Sequence, residues 1–293
     1  MNSVEKLAEA LVERLAIQGP PDLDSIVQRI GLRVREVKAD GFDGTLVCAL
    51  DKPKGLIAVN SAIREPTHKR FTIGHEIGHY LIPHHRRLEN VCKSATIERW
   101  HSGIAYAERE ANDFAAELLL PRRLVTTRLG LNDPSLHRIS QVANEFSTSL
   151  TATVYRFIEL TDRACCLVWS ENNKAKWYVS SGTFQLPIPL SELPSSSSWA
   201  ARIFLGKTAP DDLVEVPPEA WLSRLHVHRV RRALEHSIAL RSYSAVLTFL
   251  EFDLFEDHSW DKGEEELLEE LDPNIYDSRN RRRPGRRSSQ RRR

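Results

Sequence analysis

The stretch Phe71-Thr72-Ile73-Gly74-His75-Glu76-Ile77-Gly78-His79-Tyr80-Leu81 decides the fold. Its run of apolar and small residues, entered through Pro66, predicts a largely buried helix over Ala62–Ile82. Histidines four residues apart share one helix face, so both imidazoles can meet one ion at roughly 2.0–2.1 Å. Glu76 follows His75 by about 100° of helix rotation, close enough to take a proton from a water that a zinc ion acidifies toward a pKa of about 7. The bland alternative is a pair of surface histidines beside a glutamate. Burial argues against it, because two histidines and a carboxylate in an apolar setting are costly without a ligand. Gly78 also weakens a helix unless its backbone must be approached closely.

A catalytic zinc site takes a third protein ligand and keeps the fourth position for water. The candidates lie in Glu108-Arg109-Glu110-Ala111-Asn112-Asp113-Phe114-Ala115-Ala116-Glu117-Leu118-Leu119-Leu120-Pro121, a helix expected over Ala105–Leu120. Glu108, Asn112 and Ala115 share a face. Glu108 is therefore read as the ligand, with Glu110 and Asp113 as rivals. Asn112, one turn on, is placed to hydrogen-bond a ligating histidine. Glu110 and Glu117 fall on another face and are expected at the solvated surface. Ala111, Ala115 and Ala116 are small enough to let the two helices pack tightly. His101 and Tyr106 are candidates for stabilising the oxyanion of a tetrahedral intermediate, ahead of His84 and His85. The simpler reading of the two, a loop histidine and a packing tyrosine, is preferred.

Outward from the site, Val4–Ile17 is spaced as a helix, and Asp22 caps another over Leu23–Ile30. Leu32–Val37 reads as a strand, and Thr45–Leu50 with Leu56–Val59 as a hairpin. The backbone of Thr45–Leu50 or Leu56–Asn60 can pair with an extended substrate. Pro134–Glu145 and Leu150–Leu160 form a helix-turn-helix-like pair that can dock DNA or a repressor through Arg138 and Arg156. So few basic side chains favour the other reading, a helical cap on the preceding domain. Beyond Arg163, strands are expected at Ala164–Trp169, Lys176–Ser180 around an Asn172–Asn173 turn, and Ala245–Leu254, with a loop over Leu190–Ser198. The organisation expected is a metallopeptidase domain at 1–128, the helical subdomain at 129–162, a mixed α/β domain at 163–257, and a disordered tail at 258–293.

The net charge of +1 hides segregation. Glu251 to Asp272 holds eleven acidic residues and one lysine, while Asn274 to Arg293 holds nine arginines and one aspartate. Such a tail can touch nucleic acid or acidic partners, or simply remain solvated. Nothing near Met1 reads as a signal peptide, and no apolar run approaches the roughly 20 residues of a membrane span. Four cysteines without CxxC spacing fit a reducing cytoplasm, and the adjacent pair Cys165–Cys166 reads as buried strand residues.

The two motifs, Phe71–His79 and then Glu108–Pro121, resemble those of the ImmA/IrrE metallo-endopeptidases, and Leu56-Ile57-Ala58-Val59-Asn60 fits the same pattern. The resemblance covers about Val4 to Leu160. Where the family most often ends its second motif in Leu-Met-Pro, this chain has Leu119-Leu120-Pro121. It implies an α+β, zincin-like and gluzincin-like domain with a small sheet, Glu108 as third zinc ligand, and cleavage of a DNA-binding repressor. That substrate is usually a helix-turn-helix protein of the Xre type, whose loss releases stress-response or mobile-element genes. The layout also resembles the IrrE branch, which implies a GAF-like second domain. Zn²⁺ is the expected cofactor, with Mn²⁺ tolerated by the same ligands. Two rival readings are a transcription-regulatory binding protein with a retained metal fold and a peptidase partner in a toxin-antitoxin pair. The intact Glu76 speaks against the first, because a protein that only binds has no need of a base.

Overall fold

A computed structural model describes residues 1–48, 54–85, 91–92, 105–131, 134–190 and 197–255. The chain divides into two compact units, Met1–Thr161 and a second beginning at Asp162. The tail from 258 and the greater part of the loop after Leu190 lie outside the described residues. Among the described residues no helix is long and apolar enough to cross a membrane.

The first unit opens with α1 (Ser3–Arg14), capped by a reciprocal pair in which the Asn2 side chain accepts from the Glu5 amide and the Glu5 carboxylate from the Asn2 amide. Asp22 caps α2 (Leu23–Arg29) through the Asp24 amide. Gly31 then takes a positive φ of 85° and redirects the chain into β1 (Leu32–Val37). β2 (Gly44–Cys48) and β3 (Gly55–Asn60) pair antiparallel, as a hairpin should. β1 joins β3 in parallel, so β3 is an inner strand of a sheet ordered β1-β3-β2-β4, where β4 is Val91–Cys92. This corrects one expectation: Leu56–Asn60 is paired on both sides and has no edge to offer a substrate. Among the described residues β4 pairs with β2 at Gly44 and Thr45.

The motif helix is α3 (Pro66–Leu81), packed against β2 and β3, with Pro66 in its first turn. α4 (Ala105–Leu119) lies along it and against α1. Tight approach is built in by small residues. A side-chain carbon at Gly78 would stand 3.2 Å from the Phe114 ring and 3.3 Å from the Ala111 backbone, and one at Gly74 3.4 Å from Ala115 Cβ. Pro121 both ends α4 and opens α5 (Arg122–Leu129), an element its break signal conceals. α6 (Leu136–Phe146) and α7 (Leu150–Leu160), capped by Ser135 and Ser149, pack on each other and on α5 through Leu129, Ile139, Phe146, Val154 and Phe157.

In the second unit β5 (Cys165–Glu171) turns through Asn172 and Asn173, both left-handed at φ 50° and 58°, into β6 (Lys174–Ser180). After the six-residue α8 (Trp199–Phe204) come β7 (Val214–Val216), β8 (Val230–Leu240) and β9 (Ala245–Leu254). The sheet is antiparallel throughout, ordered β6-β5-β9-β8-β7. One face buries Cys166, Val168, Val246 and Leu250 with Phe184, Trp221 and Phe252. Phe184 and Phe252 stack at 4.3 Å. Cys165 and Cys166 are both fully buried, and burial pushes the Cys165 thiol up to about 12, so neither is a reactive thiolate.

Candidate metal centre

α3 presents His75 and His79 one turn apart on the face that meets α4, and the first turn of α4 presents Glu108. The His75 and His79 Nε2 atoms stand 3.0 Å apart. Glu108 Oε2 lies 3.2 Å from His75 Nε2 and Oε1 lies 3.5 Å from His79 Nε2. The three ligand atoms fall within 4.8 Å of one another, which is what one ion needs. Both histidines are about 1% exposed, whereas the Glu108 side chain is 17% exposed, so the cluster opens toward solvent on the glutamate side.

Each histidine is held from behind. His75 Nδ1 meets Asn112 Oδ1 at 2.9 Å, which puts the proton on Nδ1 and leaves Nε2 as a lone-pair donor toward the cluster. His79 Nδ1 meets His85 Nδ1 at 3.1 Å, and His85 Nε2 in turn meets Glu110 Oε2 at 3.0 Å. The donor set of two imidazoles and one carboxylate, with oriented rings, fits a zinc-class ion.

Electrostatics agrees with that arrangement. Burial works against the His75 imidazolium, but the Glu108 hydrogen bond and the charges of Glu76 and Glu108 outweigh it, and its pKa is raised. At His79 burial prevails over Glu108, with the nearby His75 adding to it, and the pKa falls. Burial alone would raise Glu108, yet hydrogen bonds from His75 and His79 hold it far below the usual carboxylate range.

Glu76 is fully buried on the β2 side of α3. A side-chain carbon at Gly44 would come within 2.9 Å of Glu76 Oε1, so the glycine gives the carboxylate its room. Of the rival third ligands, Asp113 accepts instead from the Asn2 side chain at 2.9 Å. Glu110 sits among His84 and His85. Tyr106 is 68% exposed and hydrogen-bonds Glu110 rather than joining the His75–Glu108 cluster. His101 lies outside the described residues.

Two expectations are overturned. Glu110 and Glu117 are not solvated: Glu110 is 7% exposed and Glu117 is wholly buried. Glu117 is paired with Arg156 at 3.1 Å and Arg122 at 3.3 Å. Arg156 is itself 4% exposed, so it is a core ion-pair partner and not a DNA-docking residue. Arg138 is exposed. The pairing of Glu110 with His84 and His85 was hidden because those histidines follow the helix, where no periodicity relates them to α4.

Residues 27–157 match the model of the peptidase M78 family, described as the IrrE N-terminal-like domain. No curated protein matches the chain. Among solved structures, a Mycobacterium tuberculosis transcriptional regulator is similar in fold, with a TM-score of 0.51 and 14% identity over 86% of this chain and 76% of that one.

Proposed function

We propose that this chain, whose residues 27–157 place it in the ImmA/IrrE metallopeptidase family, is a zinc-dependent endopeptidase that cleaves a DNA-binding repressor. One observation carries the reading: Glu108 reaches both motif histidines at 3.2 and 3.5 Å while Glu76 lies buried beside them. His75, His79 and Glu108 are the proposed ligands, and Asn112 fixes the His75 ring. When bound, a zinc ion supplies Lewis acidity, polarising the scissile carbonyl and acidifying a water. Glu76 takes that water's proton on a carboxylate oxygen as the water attacks the carbonyl. It then delivers the proton to the nitrogen of the departing amine, and the two fragments separate.

The substrate is a helix-turn-helix repressor of the Xre type, presented in extended form along β2, and its loss derepresses stress-response or mobile-element genes. The unit beginning at Asp162 is proposed as a sensor of GAF-like layout. The free thiols Cys48, Cys165 and Cys166 support a cytoplasmic setting.

The test compares wild type with Glu76→Gln on a co-purified Xre-type repressor, with fragments read by mass spectrometry and bound zinc by elemental analysis. Both should carry equal zinc, and the variant should cleave about 10³-fold more slowly, within the range of a lost general base. Equal cleavage by both, or none by either, sinks the reading. The rival is a regulatory binding protein, in keeping with the description of the similar mycobacterial structure. It predicts identical gene-expression effects from both forms.

A further inference from the structure

Two residues along α4 from Glu108, Glu110 receives a second pair of histidines. His84 Nε2 stands 2.6 Å and His85 Nε2 3.0 Å from the same Glu110 Oε2. The three ligand atoms again lie within 4.8 Å of one another. The His85 side chain is fully buried and that of Glu110 10% exposed, while His84 at 57% leaves an entry from solvent. The His84 and His85 rings meet edge-on at 4.6 Å, so their nitrogens converge without stacking.

We propose that His84, His85 and Glu110 form a second site for a divalent cation of the zinc class, whose filling opposes that of the His75–His79–Glu108 site. Two imidazoles and one carboxylate suit zinc, cobalt or nickel, whereas calcium and magnesium take oxygen ligands. Without a cation, protons on His84 and His85 satisfy Glu110 much as those on the motif histidines satisfy Glu108, and because the 57%-exposed His84 must also be ordered, the ion binds more weakly here than at the buried pair.

The opposition comes from a single proton. His79 Nδ1 and His85 Nδ1 are 3.1 Å apart, and one hydrogen between them makes that contact a bond. When His79 ligates through Nε2, its hydrogen is on Nδ1 and is donated to His85 Nδ1. The neutral His85 ring then carries its own hydrogen on Nε2, donated to Glu110. When His85 Nε2 instead binds a cation, its hydrogen moves to Nδ1 and points at His79. The hydrogen of His79 must then sit on Nε2, the atom facing the first site. Each occupied site thus places a proton on the ligand atom of the other. The second site stands by itself, while its opposition to the first rests on the proposal that His79 is a ligand.

Metal-stripped full-length chain is titrated with Co²⁺ alone, read by visible ligand-field absorption and by calorimetry. Wild type should show two steps. His84→Ala, a change at an exposed side chain, should abolish the weaker step and leave the tighter one in place. Glu108→Ala should abolish the tighter step and strengthen the weaker one by about 5-fold or more, the usual scale of coupling between sites. A single step in wild type, or two surviving in His84→Ala, overturns the second site. Glu108→Ala leaving both steps unchanged overturns the first site and the opposition, yet keeps the second.

Discussion

The two ends of α4 carry the same residue type, half-buried at one and fully buried at the other, and treat it in opposite ways. In the first turn Glu108 faces His75 and His79, and their hydrogen bonds overcome burial and keep it acidic. In the last turn Glu117 faces Arg156 and Arg122, yet burial prevails over both guanidinium groups and its pKa is raised. Imidazoles can give up their protons to a metal, and guanidinium groups cannot. Glu108 is therefore available to a removable partner, while Glu117 is committed to a permanent one. What faces a carboxylate on this helix decides whether it is free to take a metal or fixed as a strut.

The comparison predicts that stability and metal binding separate along one helix. Glu117→Ala leaves Arg156, 4% exposed, with the partly exposed Glu159 at 3.0 Å as its remaining described carboxylate and should cost about 3 kcal/mol, with a matching fall in Tm in the presence of chelator. Glu108→Ala should lower the chelated Tm by less than half as much and abolish the rise in Tm on adding zinc. Equal chelated losses in the two variants would erase the distinction.

A smaller effect sharpens the helix contact on which Glu108 depends. Gly78→Leu pushes a side chain at the Ala111 backbone, 3.3 Å from the first added carbon, and should cost about 1–3 kcal/mol while weakening metal binding. The same substitution at Gly19, where nothing lies within 4 Å, is the control and should leave both metal binding and Tm nearly unchanged. Metal affinity in Gly78→Leu equal to wild type would show that Glu108 does not need the close approach.

The smallest effect concerns Asp113, midway between the two ends. Burial, with the like charge of Glu5 adding to it, raises its pKa from 3.8 to about 6. A raised folded-state value favours folding while the group is protonated and loses that contribution as pH rises. Wild type should therefore lose stability relative to Asp113→Asn between about pH 4 and pH 6 and stay lower above that window. A Tm difference that does not change from pH 4 to pH 7 would show that Asp113 does not titrate as described.

How much of this was legible in the sequence follows from range. His75 and His79 share a helix, so a spacing of four residues fixes their common face without reference to anything else. The Asn172–Asn173 hairpin is equally local, since two residues tolerant of left-handed backbone mark a tight turn. β8 was not legible. Val230, Leu234 and Ile238 recur every four residues, a spacing that helix and strand both accommodate. Its buried Glu235, held by Trp221 Nε1 at 2.8 Å and by the Ala200 amide and Ser237 hydroxyl at 2.7 Å, breaks any apolar alternation.

The sequence by itself determined the motif helix, its paired imidazoles and the α+β character of the first unit, because these depend on periods of a few residues. Only the tertiary structure decided that Glu108 rather than Asp113 meets those imidazoles, that Glu110 gathers His84 and His85, and that Glu117 and Arg156 are core partners. The face that α4 turns to the imidazoles depends on how closely α3 approaches it. That approach is set by packing at Gly74, Gly78, Ala111 and Ala115, and no local pattern encodes it.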